Sequence, residues 1–173
     1  VIQMLDDVEI YLAALVGYQS DRMTRDLGWH VLMIGRYVER LSTMSNILKT
    51  FYHYEAVQTT RGFDALLVLF DSVITFRSRY QRQQENVALL DLLIVDKTNP
   101  RAINCIVEQL NNELIHLPSH TQIPDKLNLI PTSATDDLSL LAYATSMQQI
   151  SNQISEQITR RFFVHAEERF FAS

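Results

Sequence analysis

Between Asp26 and Tyr54 no proline interrupts a run in which apolar residues recur every three and four positions, and this stretch dictates a long α-helix. Thr24 or Asp26 suits its N-cap. On a 3.6-residue repeat Trp29, Met33, Arg36, Tyr37, Arg40 and Met44 share one stripe, so two arginines a turn apart point where apolar side chains also point. The rest of the chain favours helices too. Four glycines and four prolines in 173 residues are too few for a β-fold built on tight turns, and 47% apolar residues suffice for one well-buried core. The expected fold is all-α, an up-and-down bundle of about five to six helices forming a single domain over residues 1–173.

A first helix from about Ile2 to Tyr18 carries the stripe Leu5, Val8, Leu12, Leu15 and Val16, and its nearly uncharged stretch Ile10 to Tyr18 reads as a core helix. Gly62 and Asp64 open a third helix to about Gln83, and a short fourth runs from Glu85 to about Val95. Pro100 in a first turn capped by Asn99 begins a fifth, ending near His116. Residues 118–136 hold three of the four prolines and read as a mobile loop. Asp136 or Asp137 then caps a last helix toward Phe171, whose stripe is Leu140, Ala144, Met147, Ile154, Ile158 and Phe162.

A net charge of -5 argues against a nucleic-acid partner. The single cysteine, Cys105, excludes an internal disulfide framework and fits a cytoplasmic location. The stretch Ile10 to Tyr18 is too short to cross a bilayer, and Asp6, Asp7 and Glu9 are unlike a secretory leader, so no membrane association is expected. The chain starts at Val1, and the expectation is a native beginning upstream.

Arg36 and Arg40 repel unless an anion lies near them, and Glu39 stands on the side of Leu32, Gly35 and Thr43, where Gly35 would let another helix approach closely. Arg77 falls on the stripe Leu66, Phe70, Val73 and Tyr80, which calls for a carboxylate. Asp71 is a candidate partner for an arginine of a neighbouring helix. Asp91, set among Leu89, Leu90, Leu92, Leu93, Ile94 and Val95, is another. The expectation is an Arg/Asp/Glu network across the second, third and fourth helices. It either holds the helices together or clamps a phosphate or carboxylate. The histidines His30, His53, His116, His120 and His165 are scattered, with Pro118 inside the one close pair, so no metal site is expected. No phosphate loop, nucleophile elbow or zinc-hydrolase pattern occurs, and no catalytic residue is assigned.

Gly28-Trp29 with Leu32, Gly35-Arg36 and Glu39-Arg40, then Asp71-Ser72 with Thr75 to Tyr80, then Asp91-Leu92-Leu93 and Asn99-Pro100-Arg101, resemble in order and spacing the alpha-E family of bacterial helical domains. Arg161-Phe162-Phe163 with His165 resembles the family's end, and the chain is similar to the later part of a longer domain. It departs from the family pattern at Met44 and Asn46, where a threonine and an arginine are common. The resemblance implies association with circularly permuted ATP-grasp amide ligases and transglutaminase-like proteins. On that basis the chain is an accessory module that positions a substrate or docks a ligase, and ATP and magnesium enter only through the ligase. An anion- or carboxylate-binding domain or enzyme, and a purely structural homo-oligomerising bundle, are the alternatives. The candidate polar residues are Arg36, Glu39, Arg40, Asp71, Arg77, Arg79, Asp91 and Arg101.

Overall fold

The computed structural model describes residues 2–81, 86–118 and 137–163. Seven α-helices occur among these residues: α1 (Ile2–Arg22), α2 (Leu27–His53), α3 (Thr60–Leu69), α4 (Val73–Tyr80), α5 (Asn86–Leu90), α6 (Ile103–Leu114) and α7 (Asp137–Phe162). No strand occurs among them, as the all-α expectation requires. The anticipated loop within 118–136 lies outside the described residues except for Pro118. So do the histidines His120 and His165 and the last turns toward Phe171.

The long helix α2 is the axis of the bundle. Asp26 caps it, its side chain accepting a hydrogen bond from the Trp29 amide at 3.1 Å. One face of α2 packs against α7 and the adjoining face against α6. Ile34, Leu41 and Leu48 from α2 meet Ile106, Val107 and Leu110 from α6 and Ala144, Met147 and Ile154 from α7 in one core. Each large aliphatic side chain withdrawn from water here contributes about 1.5–3 kcal/mol, so the three-helix seam dominates stability. The anticipated α7 stripe is buried from Leu140 to Ile158, with Phe162 half-buried.

The anticipated third helix is two helices. Asp71 takes a left-handed conformation (φ 46°). The Ser72 amide donates to the Leu67 carbonyl at 2.8 Å and the Asp71 amide to that of Val68 at 2.9 Å, which is the bonding of a Schellman termination. Asparagine and glycine are the usual residues at such a site, and aspartate also tolerates it. The break turns α4 out of register with α3. Leu66 and Phe70 remain buried while Arg77, expected on the same stripe, is exposed.

The fourth helix widens into a π-helical turn over Asp91–Val95, closed by the Asp96 amide on the Asp91 carbonyl at 2.8 Å. Leu89, Leu90, Leu92, Leu93 and Ile94 are all buried there, a wider apolar arc than one face of an α-helix offers. Asp91, expected among those apolar neighbours, is exposed. Asn99 does not cap α6 directly: it organises the preceding turn, and α6 starts at Ile103 with Ala102 before it.

The first helix departs most from expectation. Read as a core helix, α1 extends to Arg22 and buries none of its residues. Leu5, Leu12 and Val16 are 62%, 56% and 47% exposed. Its apolar stripe is intact but none of it is buried.

Candidate docking groove

The uncovered side of α2 forms one wall of an open groove of about 1250 Å³. Leu27, Val31, Leu32, Met33, Tyr37 and Met44 supply apolar surface, and Ile158, Phe162 and Phe163 of α7 line the groove with them. Val16 is the α1 residue that borders it. Polar groups are few and concentrated: Arg36, Glu39, Arg40 and Thr43 on α2, with Ser155 and Thr159 on α7. Gly35 was expected to admit a close helix. A Cβ there would meet nothing within 4 Å, so its space belongs to the groove.

Neither groove arginine meets a carboxylate among the described residues. The Arg36 guanidinium donates to the Gln19 side-chain oxygen of α1, and a second N–H approaches the Met33 sulfur at 3.8 Å. Arg40 is exposed and has no ion pair. Glu39, also exposed, accepts from the Thr43 hydroxyl at 3.4 Å. Burial, then the Glu113 carboxylate, pushes the Tyr37 hydroxyl above its ordinary range, while Arg40 and Arg36 pull it down. The phenol is thus a neutral donor beside two cations at neutral pH.

The remaining candidates lie elsewhere. Arg79 pairs with Asp96 and donates to the Thr98 hydroxyl at 3.3 Å; the Tyr80 hydroxyl donates to Asp91; Arg101 pairs with Asp71 at 2.8 Å. Beneath them buried Asn99 donates to the Leu92 carbonyl at 2.9 Å and to the Ser72 hydroxyl at 3.3 Å. This belt ties α4, the π turn and the start of α6 together. Burial opposes ionisation of Asp96, but the Thr98 hydroxyl and amide together with Arg79 outweigh it and hold the carboxyl low. Burial, then the hydrogen bond to Asp91, pushes Tyr80 up to about 12. Arg77 joins neither group and has no ion pair among the described residues. The eight candidates therefore divide into a groove trio (Arg36, Glu39, Arg40), a belt (Asp71, Arg79, Asp91, Arg101) and a solvated Arg77, instead of one network spanning three helices.

One arrangement was not legible in the sequence. His30 Nδ1 lies 2.7 Å from a Glu113 carboxylate oxygen, and its ring stacks on His116 with centroids 4.2 Å apart. The only advance signal was Glu113 and His116 at helical spacing. The contact pins the start of α2 to the end of α6, beside Trp29, over which Arg25 stacks at 3.6 Å. No group of three or more His, Cys, Asp or Glu able to hold a metal ion occurs among the described residues. Burial, then Glu108 and Asp96, pushes the Cys105 thiol up, which keeps it protonated and a poor nucleophile at neutral pH. Among the described residues no helix is long and apolar enough to cross a membrane.

The model of a family described as a predicted alpha-helical domain with a conserved ER motif matches residues 2–163. The described residues contain one Glu-Arg pair, Glu39-Arg40, and it stands on the groove wall. Uncharacterized proteins of Mycobacterium bovis and Mycobacterium tuberculosis are each 29% identical over 111 residues, which cover 62% of this chain and 12% of the relative. The chain thus aligns with a small part of much longer proteins. No solved structure matches significantly.

Proposed function

The chain belongs to the Alpha-E family, and from that premise we propose that it is an accessory helical module of an ATP-grasp-type amide ligase system, docking the ligase or presenting its peptide substrate. One observation carries this reading: an open, mainly apolar groove whose wall holds two arginines that meet no carboxylate among the described residues. Such a surface suits an amphipathic segment bearing acidic side chains. Apolar side chains supply the affinity, and carboxylates meeting Arg36 and Arg40 set the register. The chain supplies binding and orientation; ATP, magnesium and catalysis come with the ligase. A transglutaminase-like protein is a further partner of such a system.

The same two arginines favour a second reading, in which a small carboxylate or phosphate binds alone. The two separate in one experiment. The chain is used to capture partners from its native cell, and any ATP-grasp protein recovered is assayed for ATP-dependent ligation with and without it. Docking predicts capture and stimulated ligation, both lost in Gly35→Trp, which fills the groove from a position with open space around it. Capture or stimulation unaffected by that substitution rejects the groove as the docking site. Saturable binding of free phosphate or acetate at Arg40, with no ligase recovered, supports the small-anion reading instead.

A further inference from the structure

Most helical stability in proteins comes from packing an amphipathic face rather than from propensity, and the 21-residue α1 has no buried residue, so its apolar stripe calls for a surface to lie on. Its charges indicate which surface. Asp6, Asp7 and Glu9 occupy its first half, and no Lys or Arg occurs before Arg22. At 100° per residue Glu9 falls at the edge of the apolar face, next to Val16 and Leu5, with Asp6 further round on the same side. The groove is the complement, an apolar surface with Arg36 and Arg40 set into it one turn apart and room at Gly35 for a helix to come close.

The chain's own α1 is in the wrong register to make this match. Gln19 bonds Arg36, and α1 joins α2 through the short connection 23–26. Glu9 lies ten residues before Gln19, so it stands roughly 15 Å along α1 from the residue that meets Arg36. A helix from another molecule is free of that constraint. It can bring Glu9 between Arg36 and Arg40, where a carboxylate outcompetes the neutral Gln19 oxygen for the guanidinium.

We propose that the groove of each molecule receives α1 of a second copy, giving a twofold dimer by reciprocal exchange of the first helix. Both halves of the interface are present in every molecule, so the exchange closes on itself. The inference rests on the groove being a site for an acidic amphipathic helix, and it adds regulation: the exchanged α1 and a ligase segment compete for one place.

Charge exchange tests it. Sedimentation equilibrium of the chain across a concentration series should give a monomer–dimer equilibrium. The variant carrying Asp6→Lys and Glu9→Lys, and separately the variant carrying Arg36→Glu and Arg40→Glu, should each dimerise at least tenfold more weakly. Circular dichroism confirms that both are folded, and Leu12→Glu should weaken the dimer equally if a charge variant fails to fold. Mixing the two charge variants restores both complementary contacts, so a heterodimer should form at wild-type concentrations. A wild type that stays monomeric throughout overturns the proposal, as does a dimer indifferent to these substitutions or folded variants that fail to pair on mixing. A monomer that still captures the ligase would sink the exchange and leave docking intact, whereas a dimer that recovers no ligase does the reverse.

Discussion

The helices α1 and α6 both carry apolar stripes and meet opposite fates. In α6, Ile103, Ile106, Val107, Leu110 and Leu114 are all buried against the bundle. In α1, Leu5, Val8, Leu12, Leu15 and Val16 are all exposed. What differs is their surroundings. The polar belt anchors the start of α6, and the His30–Glu113 contact ties its end to α2, so its stripe is pressed onto a prepared surface. Among the described residues a short turn, the Arg25 bond to the Ser20 carbonyl and the Arg36–Gln19 bond hold α1. An apolar stripe therefore establishes that a helix needs a partner, while the partner's identity depends on which other faces remain uncovered.

The largest test of this contrast is truncation in the two helices. Leu110→Ala should cost about 2–5 kcal/mol by the methylenes lost and the cavity left, whereas Leu12→Ala in dilute protein should stay within about 0.5 kcal/mol. Chemical denaturation of both variants would show it, and equal losses would mean that α1 is as well packed as α6.

Glycine replacement extends the comparison to backbone approach. A Cβ at Gly62 would lie 2.0 Å from the Ala56 carbonyl oxygen, so Gly62→Ala should destabilise by about 1–3 kcal/mol as the backbone is forced apart. At Gly35 the space is open, so Gly35→Ala should stabilise α2 by about 0.5–1 kcal/mol. Thermal unfolding of the pair should move in opposite directions.

Within the sealed region the buried Ser45 hydroxyl has no hydrogen-bond partner among the described residues. Removing that desolvated group by Ser45→Ala should raise stability by about 1 kcal/mol, readable as a higher denaturation midpoint.

Smallest are the pH effects of the belt. Because the folded Asp96 carboxyl is held low, its contribution is present above roughly pH 4 and fades as pH falls through the lower folded value. The Tyr80 hydroxyl is pushed up to about 12, so its contribution is intact below the ordinary tyrosine range, about 10, and is lost as pH rises from there through the folded value. Asp96→Asn should flatten the acid side and Tyr80→Phe the alkaline side of the stability profile.

Periodicity and capping chemistry made much of this fold readable in advance. The span of α2, its Asp26 cap and the buried stripe of α7 follow from local rules that tertiary structure had no reason to override. The break at Asp71 was hidden because the left-handed turn there uses neither glycine nor asparagine, and missing it misplaced Arg77. The groove was hidden for a different reason. Arg36, Glu39 and Arg40 could be singled out on one helix, but whether a neighbour covers them is decided by how α1 and α7 lie, which spacing along one chain segment does not encode.

On the proposed exchange, α1 and the groove are complementary surfaces, each uncovered among the described residues. Amide hydrogen exchange of the chain over a dilution series measures this most directly. Protection of α1 should rise with protein concentration while that of α6 stays constant and high. Protection of α1 equal to that of α6 at the lowest concentration would contradict it.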